Sequence, residues 1–111
     1  MAKRIKVKIS NSKVECQGLY DPETNVLQIQ KGSVIQQSCS PSYKYKNKRL
    51  EQISNFCDVV GETCTVKKKI DFVTPTAAAN FCLGYEANGL LYWKNEKGVR
   101  LKDVLSSQKE R

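Results

Sequence analysis

The 111-residue chain carries 19 Lys and Arg against 11 Asp and Glu, a formal charge of +8, with 40% hydrophobic residues. Its length suits one domain, 1–111, with a modest core, and its composition disfavours wholesale disorder. No apolar run approaches the roughly 20 residues that cross a bilayer, and the absence of histidine removes the usual proton carrier near neutral pH, with the Cys-His and Ser-His nucleophilic pairs.

Met1-Ala2-Lys3-Arg4 leads into alternation, not into a signal-peptide core, so a cytoplasmic location is expected. Ile5, Val7 and Ile9 alternate with Arg4, Lys6 and Lys8, the period of a half-buried strand with a basic outer face. After a polar break, residues 14–20 read as a second strand, and Asp21-Pro22-Glu23-Thr24-Asn25 supplies turn chemistry. Val26, Leu27 and Ile29 form the return strand. Lys31-Gly32 predicts another reversal before Val34 and Ile35.

Tyr43, Leu50, Ile53 and Phe56 fall near helical spacing, which predicts a helix over at least residues 48–56. Residues 63–72 are rich in β-branched side chains and read as one strand, despite three consecutive lysines at its centre. A helix then starts at Thr74-Pro75-Thr76, where a hydroxyl can cap and proline suits the first turn, and ends at Gly84. Asn88-Gly89 predicts a hairpin turn and Leu90-Leu91-Tyr92-Trp93 a short strand. Leu101, Val104 and Leu105 close the fold with a short helix or turn, and a polar tail at 106–111 is expected to fray. The expected class is α+β, a small, mostly antiparallel sheet with two or three helices packed on it.

Catalysis is not expected. Asp71, Glu86 and Glu96 show no spacing that brings two acids into one pocket, and the glycines form no phosphate loop with a following Lys-Ser or Lys-Thr. Cys16, Cys39, Cys57, Cys64 and Cys82 lack paired metal-ligand spacings and fit buried, reduced thiols. Neither a metal nor a cofactor is expected.

The basic groups point instead to a polyanion. They cluster on Lys3, Arg4, Lys6 and Lys8, on Lys44, Lys46, Lys48 and Arg49, and on Lys67, Lys68 and Lys69. Tyr43 and Tyr45 interleave with the second cluster and can stack on a base or sugar. The same lysines also serve solubility, and those at 67–69 can protect a sheet edge. Trp93 is either a core residue or a reading aromatic.

Gly18-Leu19-Tyr20-Asp21, Lys31-Gly32-Ser33, Asp71-Phe72-Val73-Thr74-Pro75-Thr76-Ala77-Ala78-Ala79 and Leu83-Gly84-Tyr85-Glu86-Ala87-Asn88-Gly89 carry a resemblance. With Tyr92-Trp93-Lys94 and Gly98, they resemble the domain-of-unknown-function family 4357, over about residues 18–105. That family looks related to the restriction-enzyme and adenine-methylase-associated domain. The resemblance implies a non-catalytic DNA-binding accessory domain of restriction-modification or DNA processing that senses modified bases. Duplex DNA is then the expected partner, beside a neighbouring nuclease, methylase or helicase, with no membrane.

Family members carry Ser-Pro-Ser where Thr74-Pro75-Thr76 stands, tryptophan at the position of Leu90 and a basic residue at that of Tyr85. The nucleic-acid contacts expected on these grounds are Lys31, Ser33, Lys44, Lys46, Lys48, Arg49, Lys67, Lys68, Lys69, Thr74, Thr76, Tyr85, Asn88 and Lys94. Thr74 and Thr76 would act at a helix N-terminus that favours phosphate, or simply cap it. Asn88 would pair with a base edge or only make its turn. The alternative function is a protein-interaction module that docks a partner on sheet edges or on the expected strand Leu90-Leu91-Tyr92-Trp93.

Overall fold

A computed structural model describes residues 4–12, 14–41 and 43–109; Lys3, Ser42 and the last two residues of the expected tail lie outside them. The first strand, β1 (Ile5–Ser10), buries Val7 and Ile9 and exposes Lys6, Lys8 and Ser10, as its alternation requires. It pairs antiparallel along the whole of β2 (Glu15–Tyr20), with Lys8 opposite Gln17 and Val7 opposite Gly18.

The other side of β2 carries two short strands in line, β3 (Leu27–Ile29) and β4 (Val34–Gln36), both antiparallel to it. The reversal expected at Lys31-Gly32 is therefore absent, and the chain bulges instead. Gly18 faces Ile29 whereas Glu15 faces Val34, so residues 29–34 contain two more than the stretch of β2 they flank. Ser33 repairs the ladder: its hydroxyl accepts from the Gln17 amide at 3.0 Å and donates to the Gln17 carbonyl at 3.3 Å. Gly32, at φ 93°, supplies the left-handed backbone the bulge needs.

The strand expected over residues 63–72 is two strands, β6 (Thr63–Val66) and β7 (Ile70–Phe72), pairing with β4 and β3 respectively. Both pairings keep one register, with Val34 opposite Thr65 and Ile29 opposite Ile70, so this is a single ladder opened at its centre. Three adjacent like charges occur where it opens. The edge strand β5 (Cys57–Val60) completes the sheet beside β6.

All four helices cover one face. The first, α1 (Lys46–Phe56), turns Arg49 and Ile53 inward and leaves Leu50 52% exposed, so the expected apolar stripe through Leu50 is displaced by one residue. The second, α2 (Pro75–Leu83), buries Ala78, Ala79, Phe81, Cys82 and Leu83 against the sheet. It starts and stops as expected, with Thr74 capping the Ala77 amide at 3.1 Å and Gly84 at φ 78°.

The strand expected from Leu90 to Trp93 is instead a single helical turn, α3 (Gly89–Tyr92). Asn88 begins this turn by accepting from the Leu90 amide at 3.0 Å. A Cβ at Gly89 would lie 2.3 Å from the Pro75 carbonyl, so glycine here lets α3 seat against the start of α2. The turn drops Trp93 into the core, where Nε1 donates to the Pro75 carbonyl at 2.9 Å. Gly18 leaves room for that ring, 3.4 Å from where a Cβ would stand.

The last helix, α4 (Leu101–Lys109), buries Leu101 and reaches into the expected tail segment. The architecture is α+β: one antiparallel sheet, helices on one face and the other face open. No helix among the described residues is long and apolar enough to cross a membrane.

Candidate nucleic-acid interface on the open sheet face

The open face is built by the outward half of each strand's alternation. Lys6, Lys8, Lys31 and Lys94 line one cleft of about 620 Å³ together with Gln17 and Gln30; Glu96 is the acid in that lining. Lys94 arrives there through the backbone, because it exchanges amide and carbonyl bonds of 2.8 and 3.0 Å with Lys8 and so extends the sheet beyond β1. Lys31 arrives through the bulge. Where the ladder opens, residues 30–33 stand across from residues 66–69, so Lys68 and Lys69 flank the same region.

None of Lys6, Lys8, Lys31, Lys68, Lys69 and Lys94 has a carboxylate within 4.0 Å among the described residues; the recorded ion pairs are Lys44–Glu86, Lys67–Asp58 and Arg100–Asp103. Unpaired cations on a concave surface raise the local potential for anions. Amides lie between them. Gln28 donates to the Asp71 carboxylate at 2.8 Å, and Gln30 donates to the Gln28 side-chain oxygen at 3.0 Å, so the acceptor-only carboxylate fixes the orientation of both amides.

Several expected contacts belong elsewhere. Arg49 is 2% exposed and cannot reach a phosphate: its guanidinium donates to the carbonyls of Gln36 at 2.6 Å, Phe81 at 2.7 Å, Gln37 at 3.0 Å and Ser38 at 3.4 Å. It also lies over the Phe81 ring, 5.7 Å from the centroid. Burial lowers its pKa, the carbonyls being its counter-charge in place of a carboxylate. Ser33 is likewise buried and its hydroxyl is consumed by Gln17.

Thr74 caps α2, Thr76 accepts from the Gly89 amide at 3.2 Å and Asn88 caps α3, so the hydroxyls and amide of the most recognisable motif are engaged in folding. Lys44, Lys46 and Lys48 are exposed around the start of α1, in the helical layer and away from the open face. Tyr43 is buried, with Tyr45 edge-on to it at 5.9 Å, which leaves Tyr45 alone of the two available for stacking. Tyr85 is exposed; burial is the larger cause of its raised pKa and the neighbouring Tyr92 hydroxyl the next.

Gln17, Gln28 and Gln30 were not expected as contacts, and Lys6 and Lys8 were expected only as members of a basic cluster, not among the named contact residues. The alternation of β1 and the run Gln28, Gln30 already signalled an outward polar face, but only the pairing puts them side by side.

A family model described as Domain of unknown function (DUF4357) matches residues 7–105. The chain belongs to that family. No curated protein and no solved structure matches the chain. The match covers the sheet, α2, α3 and the start of α4 of this DUF4357 domain, so it takes in both the open face and the capped Thr-Pro-Thr helix.

Proposed function

We propose that this DUF4357 domain is a non-catalytic DNA-binding accessory domain, acting in the cytoplasm beside restriction-modification or DNA-processing enzymes. Duplex DNA is its ligand and a nuclease, methylase or helicase its working partner. The observation that carries the reading is the open face, where Lys6, Lys8, Lys31 and Lys94 share one cleft on a chain of net charge +8. The likeness to the restriction-enzyme and adenine-methylase-associated domain extends the proposal to sensing of modified bases.

Such binding releases counterions, so affinity falls steeply with salt: about five phosphate contacts give a log–log slope near −4.5. Anisotropy titration of a labelled duplex at low and raised salt measures this slope. Absence of binding at the lowest salt would rule the proposal out. Comparing methylated with unmodified duplexes tests base sensing, for which equal affinities are the negative result.

A further inference from the structure

One line of side chains crosses the open face at right angles to the strands. Lys94 bridges Lys8, and Lys8 pairs with Gln17. The next position of the β2–β3 ladder sets Gln17 opposite Gln30, whose amide donates to the Gln17 carbonyl at 2.8 Å. The register ends at the Ile29 and Ile70 pair, and one step beyond, where the ladder opens, the exposed Lys69 stands across from Gln30 without pairing to it. Paired residues in an antiparallel sheet project to the same side, and neighbouring strands lie about 4.8 Å apart. The line therefore places two glutamines between lysines whose backbones stand roughly 14 Å apart at Lys8 and Lys69, with Lys94 one strand further out.

Acidic groups bound this line on both sides. Asp21 and Asp71 share a cleft towards one end of the strands, and Glu15 and Glu62 share another towards the other end. The cleft between them sets four lysines against Glu96, whereas the outer two hold as many acids as cations or more, so a polyanion is favoured in the middle, crossing the strands. Proteins that hold single strands rely on aromatic platforms. Here Tyr20, Phe72 and Trp93 are buried, no aromatic side chain lines the cleft of Lys6, Lys8, Lys31 and Lys94, and the exposed Tyr92 stands only at its edge, in a neighbouring cleft shared with Lys8 and Lys94. The separation of the flanking lysines compares instead with the major groove of B-form DNA, about 12 Å wide.

We propose that the line Lys94, Lys8, Gln17, Gln30, Lys69 is the contact track for a DNA duplex, its lysines on the phosphates of the two groove walls and its glutamines at the base edges between them. This deepens the DNA-binding reading and rests on it. Gln30 is held through its amide nitrogen by Gln28, which is held by Asp71, so its side-chain oxygen is the function left to accept from an exocyclic amino group. Gln17 is exposed and keeps both amide functions for the ligand.

The test uses the whole chain with a short mixed-sequence duplex, each of its single strands and a randomised duplex pool. Lys8→Gln with Lys69→Gln is expected to weaken duplex binding and make the salt slope shallower by roughly 2, whereas Lys44→Gln with Lys46→Gln and Lys48→Gln leaves both unchanged. Gln17→Ala with Gln30→Ala is expected to keep the slope and erase the sequence preference selected from the pool. The opposite lysine result places DNA on the helical layer and overturns the track, while DNA binding itself stands. Tighter binding of a single strand overturns the duplex assignment, and a pool that yields no preference with the unaltered protein overturns the role of the glutamines. No binding by the unaltered protein overturns the DNA-binding reading as a whole.

Discussion

Arg49 shows how far a residue's role depends on its neighbours. A guanidinium removed from water is costly unless its donors are met. Here four carbonyls meet them, and one, from Phe81, belongs to the last turn of α2, where the helix dipole is negative. The same group ties α1 to the segment after β4 and to α2, so it acts as a three-way pin. Arg49→Ala should lower stability by about 3 kcal/mol or more, because several buried carbonyls lose their donor together. Chemical denaturation measures it, and a loss under about 1 kcal/mol would show that water replaces the guanidinium.

Gly89 is decided by contact distance. Gly89→Ala drives a methyl into the Pro75 carbonyl and should cost about 1–3 kcal/mol while shifting Trp93 fluorescence, since the indole bonds that same carbonyl. An unchanged melting temperature and emission would contradict this packing.

At the scale of elements, the bulge between β3 and β4 is what separates a plain hairpin from this sheet. It turns Lys31 out into the cleft and opens the facing ladder at residues 67–69. Ser33 holds it with a buried hydroxyl that stands in for a backbone partner of Gln17. Ser33→Ala strands the Gln17 amide and should cost about 1–3 kcal/mol. Hydrogen exchange at Gln17 should quicken more than at Leu19; equal protection in variant and parent would remove this role for Ser33.

The Asn88-Gly89 pair teaches the converse. Locally it is strong hairpin chemistry, and its Asn does cap and its Gly does permit close approach. The element that follows is a helical turn because the Trp93 ring has to reach the Pro75 carbonyl beneath it. A tertiary hydrogen bond outweighs a four-residue propensity.

Across the whole molecule, buried acidic protons set the response to alkali. Burial raises the pKa of Tyr20, Tyr43, Cys64 and Cys82 and takes Cys57 from 9.0 to about 11. The folded state then holds these protons more tightly than the unfolded chain. That stability is fully present below about pH 9 and is lost as pH rises through about 11. The urea midpoint should be steady from pH 7 to 9 and fall above it; a midpoint that rises in alkali would reverse the sign. In the same state Cys39, the partly exposed thiol, should alkylate before Cys16, Cys57, Cys64 and Cys82.

The α+β class, β1 and β2, and the limits of α2 were legible from alternation, capping and turn residues, because those are local forces. Thr74, Pro75 and Gly84 show it: each acts within a few residues of itself. The basic balance was legible too, but not its distribution. Lys94, Lys8, Gln17, Gln30 and Lys69 are scattered through the chain and become neighbours only through strand pairing, while Arg49 leaves the surface only because α1, α2 and β4 converge on it. The chain alone determined most of the strands and helices, though not α3, β5 or the break between β6 and β7, and that the protein is basic. Tertiary structure decided which basic residues share a face, since long-range register and the burial of a charge depend on groups far apart in sequence.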